Sequence, residues 1–417
     1  MLHIQSILGS ASLISFFIIF IIYVSRREDY YIGLILFFGF FIRLLFSFLQ
    51  EFYQILPYVW DEAVFHHMSV GYFDYLTGES IMPYDSSRIN SVSSYGTFLG
   101  SLYYIFGQHP FIGRLIGSIL GTTVVYIAYK ISYKIGVEKK YIYLSSLIIC
   151  FTPSYIIFSG LIMRDMLFWV LTYLFIYFCY FIFNNFNLKY LLFSFLVTIP
   201  LVLLRKQYAP LYMIYYFIIF MLFLKNKIYF FKSININFLK YIFLISLITI
   251  GIYGSYVFLL YELSTWNNSE IVEYFASQME YRARGGTSYL DGLEYNSFFD
   301  IFKYAPLRFI YFVYGPFLWT SNNLFTILAS LENLLIWLFT IMFIFNIKYV
   351  SYLKDYKKKN FLIFIFSFIF ISLSANALID SNFGTAIRHK MIYIPIFYTL
   401  VFFLLSLKLS KNGSQSN

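Results

Sequence analysis

The run YYIGLILFFGFFIRLLFSFL, Tyr30–Leu49, holds a single charge, Arg43. As a helix, about 20 residues rise about 30 Å, the thickness of a bilayer's hydrocarbon core. Comparable apolar runs recur near residues 6–25, 111–129, 141–160, 166–185, 190–204, 208–224, 241–261, 325–346, 361–379 and 391–407. Together they predict an all-α polytopic membrane protein with about eleven transmembrane helices, forming one integral membrane domain over residues 1–417. The composition agrees. Of 417 residues, 60% are hydrophobic and 12% charged, and mean hydropathy is +0.72. A soluble fold of this size cannot hide that much apolar surface. The segment 309–320 is also apolar, but Pro316 interrupts it, and it reads as re-entrant or interfacial.

Charge placement gives the expected sidedness. The first apolar run has no basic residues before it and is followed by Arg26-Arg27, which favours an outward N-terminus rather than a cleaved signal. Eleven spans then put 18 of the 30 basic residues on the cytoplasmic side, 16 of them lysine, with only 4 of the 20 acids. That is the positive-inside pattern. It also explains the net charge of +10 without nucleic acid, because the lysines flank spans. The other 12 basic residues include nine arginines. A guanidinium matches phosphate oxygens two at a time, so the extracytoplasmic face is expected to meet an anionic ligand. Two long loops belong to that face, 50–110 and 262–324. Cys150 and Cys179 sit inside apolar runs and form no disulfide framework.

Seven places in the chain carry candidate chemistry. Asp61 and Glu62 open the first long loop amid Trp60, Phe65, Tyr72, Phe73 and Tyr75. The bland alternative is a solvated loop pair. A carboxylate at the membrane surface can instead take a proton from an acceptor hydroxyl, and Asp61 is the candidate base. His66 and His67 follow, as substrate-hydrogen-bonding or interfacial residues. A divalent metal shared with Asp61 or Glu62 is the weaker reading, since adjacent histidines on a helix face different ways. Arg164-Asp165 lies between two spans, either as a surface ion pair or with Asp165 orienting a sugar, a metal or an arginine near Asp61, and Arg164 is a further candidate to bind a lipid phosphate. Arg205-Lys206 and Arg388-His389-Lys390 break the lysine pattern at span ends, and point to a lipid phosphate, with His389 beside it. Arg282-Ala-Arg284-Gly285-Gly286 puts arginines next to flexible backbone that can approach a phosphate or sugar. It lacks the spacing of a nucleotide-binding loop. Arg43 is expected to snorkel toward the outer end of its span or to serve the same site.

Several of these stretches carry a family likeness. A long extracytoplasmic loop opening on Asp61-Glu62 resembles the GT-C membrane glycosyltransferases, above all the bacterial glycosyltransferase family 39 branch, the dolichyl-phosphate-mannose-protein mannosyltransferase-like proteins. Gly113-Arg114-Leu-Ile-Gly117-Ser-Ile-Leu-Gly121, Thr152-Pro153-Ser154 and Met163-Arg164-Asp165 look like that family too. The likeness covers residues 30–210. The resemblance implies a GT-C-like fold and transfer of a sugar from a polyprenyl-phosphate carrier to a glycan acceptor at the outer face of the plasma membrane. It implies Asp61 as catalytic base and Asp165 as a second acid, whereas the leading span departs from the family pattern. The chain also resembles O-antigen and capsule repeat-unit polymerases, where Arg282, Arg284 and Arg388 would suit a pyrophosphate. The alternative from another class is a lipid-linked oligosaccharide flippase, although the charges cluster in loops and no inverted repeat is visible.

Overall fold

A computed structural model describes residues 2–56, 60–82, 91–227, 268–283, 286–321 and 323–415. The expected span at 241–261, Arg284, Gly285 and the Trp60 side chain lie outside the described residues. No strand occurs among them, only one isolated bridge between Ser288 and Asn382. The protein is an all-α, multi-pass membrane protein. Six described helices are long and apolar enough to cross a bilayer, and two sharply bent helix pairs raise the number to eight. Helix 188–204, expected to span, is a shorter apolar helix.

The chain gathers into two compact units. The first holds Met1–Cys179, Asn187–Lys206 and Val401–Asn417. Its helices are α1 (Leu2–Arg27), α2 (Tyr30–Tyr53), α3 (Trp60–Thr77), α4 (Ser91–Phe106), α5 (Pro110–Ile135), α6 (Lys139–Phe151), α7 (Pro153–Ser159), the start of α8 (Arg164–Asn184) and α9 (Leu188–Leu204). Within the stretch 50–110, expected as a long extracytoplasmic loop, the described residues include α3 and α4, which pack along each other. Their sequences are too short and too polar to span, yet aromatic enough to bury Phe65, Phe73, Tyr95 and Tyr103 between them and their neighbours.

Local chemistry sets the helix ends. Asp29 caps α2 by accepting from Tyr31 N–H (3.0 Å) and Ile32 N–H (3.2 Å). Pro110 occupies the first turn of α5, and Gly136 ends it in the left-handed region at φ 91°. Pro153 cannot continue α6, so α7 leaves at 56°. Arg43 does not snorkel. It is fully buried, and its Nη1 donates to Cys150 O (2.8 Å) and Gly39 O (2.9 Å). Cys150 lies in the last turn of α6, whose carbonyls lack intrahelical partners and favour a cation. The arginine therefore holds the break at Pro153 against α2.

The glycine spacing on α5 has a packing cause. A Cβ on Gly117 would lie 2.6 Å from Ser159 O, and one on Gly121 2.5 Å from Ser159 Cβ. Small residues four apart let the end of α7 lie directly on α5, and this places the connection 160–163 beside α3.

The second unit holds Tyr180–Phe186 and Gln207–Leu400. Its helices include α10 (Ala209–Lys227), α11 (Asn268–Ala283), α12 (Phe298–Tyr314), α13 (Leu324–Asn346), α14 (Tyr356–Ala377), α15 (Phe383–Lys390) and the start of α16 (Ile394–Gln415). The expected break at Pro316 is present, because α12 ends at Tyr314. α12 packs on α14, α15 and α11. Arg308 on α12 is fully buried and donates to Ala377 O (3.0 Å), Asp380 O (2.6 Å) and Ser381 Oγ (3.1 Å). It thereby caps the C-terminus of α14 as Arg43 caps α6.

Candidate functional site

The first turn of α3 presents Asp61 and Glu62, where a helix N-terminus favours negative charge. Asp61 is half-buried. Glu62 is buried, and its Oε1 accepts from Arg114 Nε (2.8 Å) and from Ile162 N–H (3.0 Å). Arg114 also pairs with Glu51 at the end of α2. One guanidinium thus bridges two carboxylates and joins α2, α3 and α5, leaving the trio with one net negative charge. A cavity of about 250 Å³ opens here, lined by Gln50, Gln54, Glu62, His66, Arg114 and Ile162 among others.

His66 lies one turn beyond Glu62, with Nδ1 2.9 Å from Tyr103 Oη. Burial, then the charge of Arg114 and the neighbouring His109 and His67, push its pKa down to about 4. The ring is a neutral hydrogen-bonding group at physiological pH. Between about 4 and 6.5 the unfolded chain binds a proton there and the folded protein does not, so this group weakens the fold as pH falls from 6.5 toward 4. Wild-type protein is expected to lose more thermal stability than His66→Gln over that interval in matched detergent melts. Equal losses would remove His66 as the cause. His67 is exposed and points away.

Asp165 stands in the first turn of α8, buried, and pairs with the equally buried Arg205 at the end of α9. The Arg205 guanidinium lies 5.1 Å from the Phe168 ring. Arg164 is half-buried, over the Phe65 ring at 5.6 Å, and its Nη1 reaches Leu204 O at 3.4 Å. Phe65 in turn packs edge-on against Tyr95. Burial first, then the charges of Asp165 and Glu62, raise the Tyr95 phenol, so this side chain sits in the field of both acids. Lys206 follows Arg205 and is exposed. Residues far apart in sequence, at 61–66, 114, 164–165 and 205–206, thus gather at one end of the first unit.

The second unit uses its candidate residues differently. Asp380, fully buried, pairs with Arg282 and accepts from His389 Nδ1 at 2.6 Å. Burial works to raise the Asp380 carboxyl, but the charges and hydrogen bonds of His389 and Arg282 override it and hold it down at about 2. Tyr289 Oη donates to Asp380 O (2.7 Å), and Tyr295 Oη to Leu378 O (3.1 Å). Arg282 and His389, expected to bind substrate, therefore fasten the segment 378–382. Lys390, expected on a lipid phosphate, instead points into the protein. It is fully buried, and its three N–H groups meet Val313 O (3.0 Å), Gly315 O (2.6 Å) and Asn333 Oδ1 (2.8 Å). Two of these contacts hold the carbonyls where α12 ends before Pro316, and the third ties them to α13. Arg388 is half-buried.

Sequence reading overlooked Glu51, Arg114, Arg308 and Asp380 as polar anchors. Arg114 was visible only as part of a glycine motif, and nothing local marks its two partners, which lie 52 and 63 residues away. Among the described residues, no group of three His, Cys, Asp or Glu side chains could hold a metal ion. Compared with known proteins, the sequence matches no family model and no curated relative.

Proposed function

We propose that this chain is an integral membrane glycosyltransferase of cell-surface polysaccharide assembly. It transfers a sugar or oligosaccharide from a polyprenyl phosphate or pyrophosphate at the extracytoplasmic face of the plasma membrane. The observation that carries the reading is the gathering of Asp61 and Glu62 with Arg114, Arg164, Asp165 and Arg205 at one end of a hydrophobic bundle, where Glu62, His66 and Arg114 line a cavity of about 250 Å³. The reading includes the eleven-span topology with an outward N-terminus, which turns this end away from the cytoplasm.

In this mechanism the acceptor hydroxyl attacks the anomeric carbon, and the bond from that carbon to the phosphate oxygen breaks. The hydroxyl proton passes to Asp61. The departing phosphate keeps the electron pair, and its charge is met by Arg164 and Lys206. Glu62 is held by Arg114 and Ile162, so it positions α3. Arg205 pairs with Asp165 and fixes its position. Stabilising the leaving phosphate is the larger contribution, because charges organised in a water-poor site need no rearrangement as the bond breaks.

The cellular test replaces the gene with the Asp61→Asn allele at matched membrane abundance and separates surface glycan by size. Loss of the long ladder with a single repeat unit kept is expected of a polymerase. An intact ladder missing one decoration is expected of a single-sugar transferase. An unchanged glycan removes Asp61 as the base and brings the flippase reading forward.

A further inference from the structure

A second polar cavity lies at the opposite, lysine-rich end of the first unit, where the α1–α2 turn faces the α5–α6 turn. Two acids form its inner wall, and both are already satisfied. Glu28 accepts from Lys130 Nζ (3.0 Å) and Tyr126 Oη (2.8 Å). Asp29 accepts from Tyr143 Oη (2.8 Å) and caps α2 with its other oxygen. The cavity beside them measures about 300 Å³, and Arg27, Lys130, Lys139, Tyr129, Tyr133 and Tyr143 line it among others. Arg27 and Lys139 are exposed and make no ion pair among the described residues. The two turns with their flanks, 26–29 and 130–140, carry six basic residues against three acids.

We infer that this cavity seats the phosphate of an anionic membrane phospholipid. The ligand needs a negative group because two cations reach the cavity without partners, while the acids in its wall are spent on Lys130 and tyrosines. It needs to be a lipid because the cavity adjoins an apolar stripe. Tyr31 packs on Tyr143 at 5.5 Å, and Tyr31, Leu34 and Phe38 are exposed in helical register along α2. A headgroup held by Arg27 and Lys139 leaves its acyl chains along that stripe. Basic pockets between spans at the lysine-bearing interface are a known route to anionic-lipid recognition, and tyrosine rings suit the same depth. The inference is independent of the transferase reading, since no residue here takes part in that mechanism.

The test uses full-length protein in detergent, titrated with mixed micelles of phosphatidylglycerol, with phosphatidylcholine, or with inorganic phosphate alone. Binding is read by native mass spectrometry and by the thermal midpoint. Wild type is expected to retain phosphatidylglycerol saturably and to melt higher with it, and to respond to neither phosphatidylcholine nor inorganic phosphate. Each exposed cation near an anionic surface contributes about a fivefold gain in affinity. The pair Arg27→Gln/Lys139→Gln is therefore expected to bind about 25-fold more weakly, with its lipid-free midpoint unchanged. The control Lys357→Gln/Lys358→Gln/Lys359→Gln removes three lysines elsewhere and is expected to bind like wild type. Three results overturn the inference: unchanged binding by the pair, an equal loss in the control, or equal stabilisation by inorganic phosphate, which would make free phosphate the ligand.

Discussion

Purified Asp61→Asn protein is expected to transfer sugar about 10²–10⁴-fold more slowly than wild type, which is the contribution of a positioned general base. The substitution keeps the shape of the side chain and removes its ability to take a proton. Its effect on folding is small. Asp61 is half-buried in the first turn of α3, and losing one charge there costs roughly 0.3–1 kcal/mol. The measurement is the initial rate with lipid-linked sugar extracted from the host membrane, beside a detergent melt of both proteins. Asp61→Glu should recover part of the rate, since it restores a carboxylate one methylene too far out. A variant rate within twofold of wild type would assign the proton transfer to another group.

The second large effect is expected at Asp165 and Arg205. Both side chains are almost completely shielded from solvent, and removing one partner leaves the other charge buried. Such a break costs roughly 3–5 kcal/mol, whereas replacing both partners with apolar residues of similar size is often neutral. Asp165→Leu and Arg205→Met are each expected to melt far below wild type, and the double variant to melt near it. Activity separates structure from chemistry. If the pair serves the reaction, the stable double variant remains inactive by at least about 100-fold. If it serves only the bundle, activity returns with stability. Single variants that melt like wild type would show that the pair is solvated in the folded protein.

Local chemistry settled much of the architecture in advance. Runs such as Tyr30–Leu49 can satisfy their backbone in a bilayer only as helices, so fold class and membrane residence follow from composition and run length. Pro316 marked a real interruption, because a missing N–H acts where it stands, whereas the break at Pro153 inside the expected span 141–160 was not anticipated. Asp61, Glu62, Arg164, Asp165 and Arg205 stood out as charges at span ends, and their rarity in so apolar a chain is itself a signal.

Tertiary packing decided what those charges do. Arg114 reaches acids 52 and 63 residues away, and Lys390 reaches carbonyls 75 and 77 residues away. Neither spacing leaves a local trace, because a side chain's partners depend on which helices pack beside it. For the same reason Arg43, in a run that favours snorkelling, became a buried cap for α6, and the helices α3 and α4 within 50–110 have an apolar face that exists only against their neighbours. The sequence by itself determined that this chain lives in a membrane and where its charged chemistry is concentrated. Only the folded bundle decided which of those charges are committed to holding it together and which are left to meet a ligand, since pairing is a property of three-dimensional proximity and desolvation and not of order along the chain.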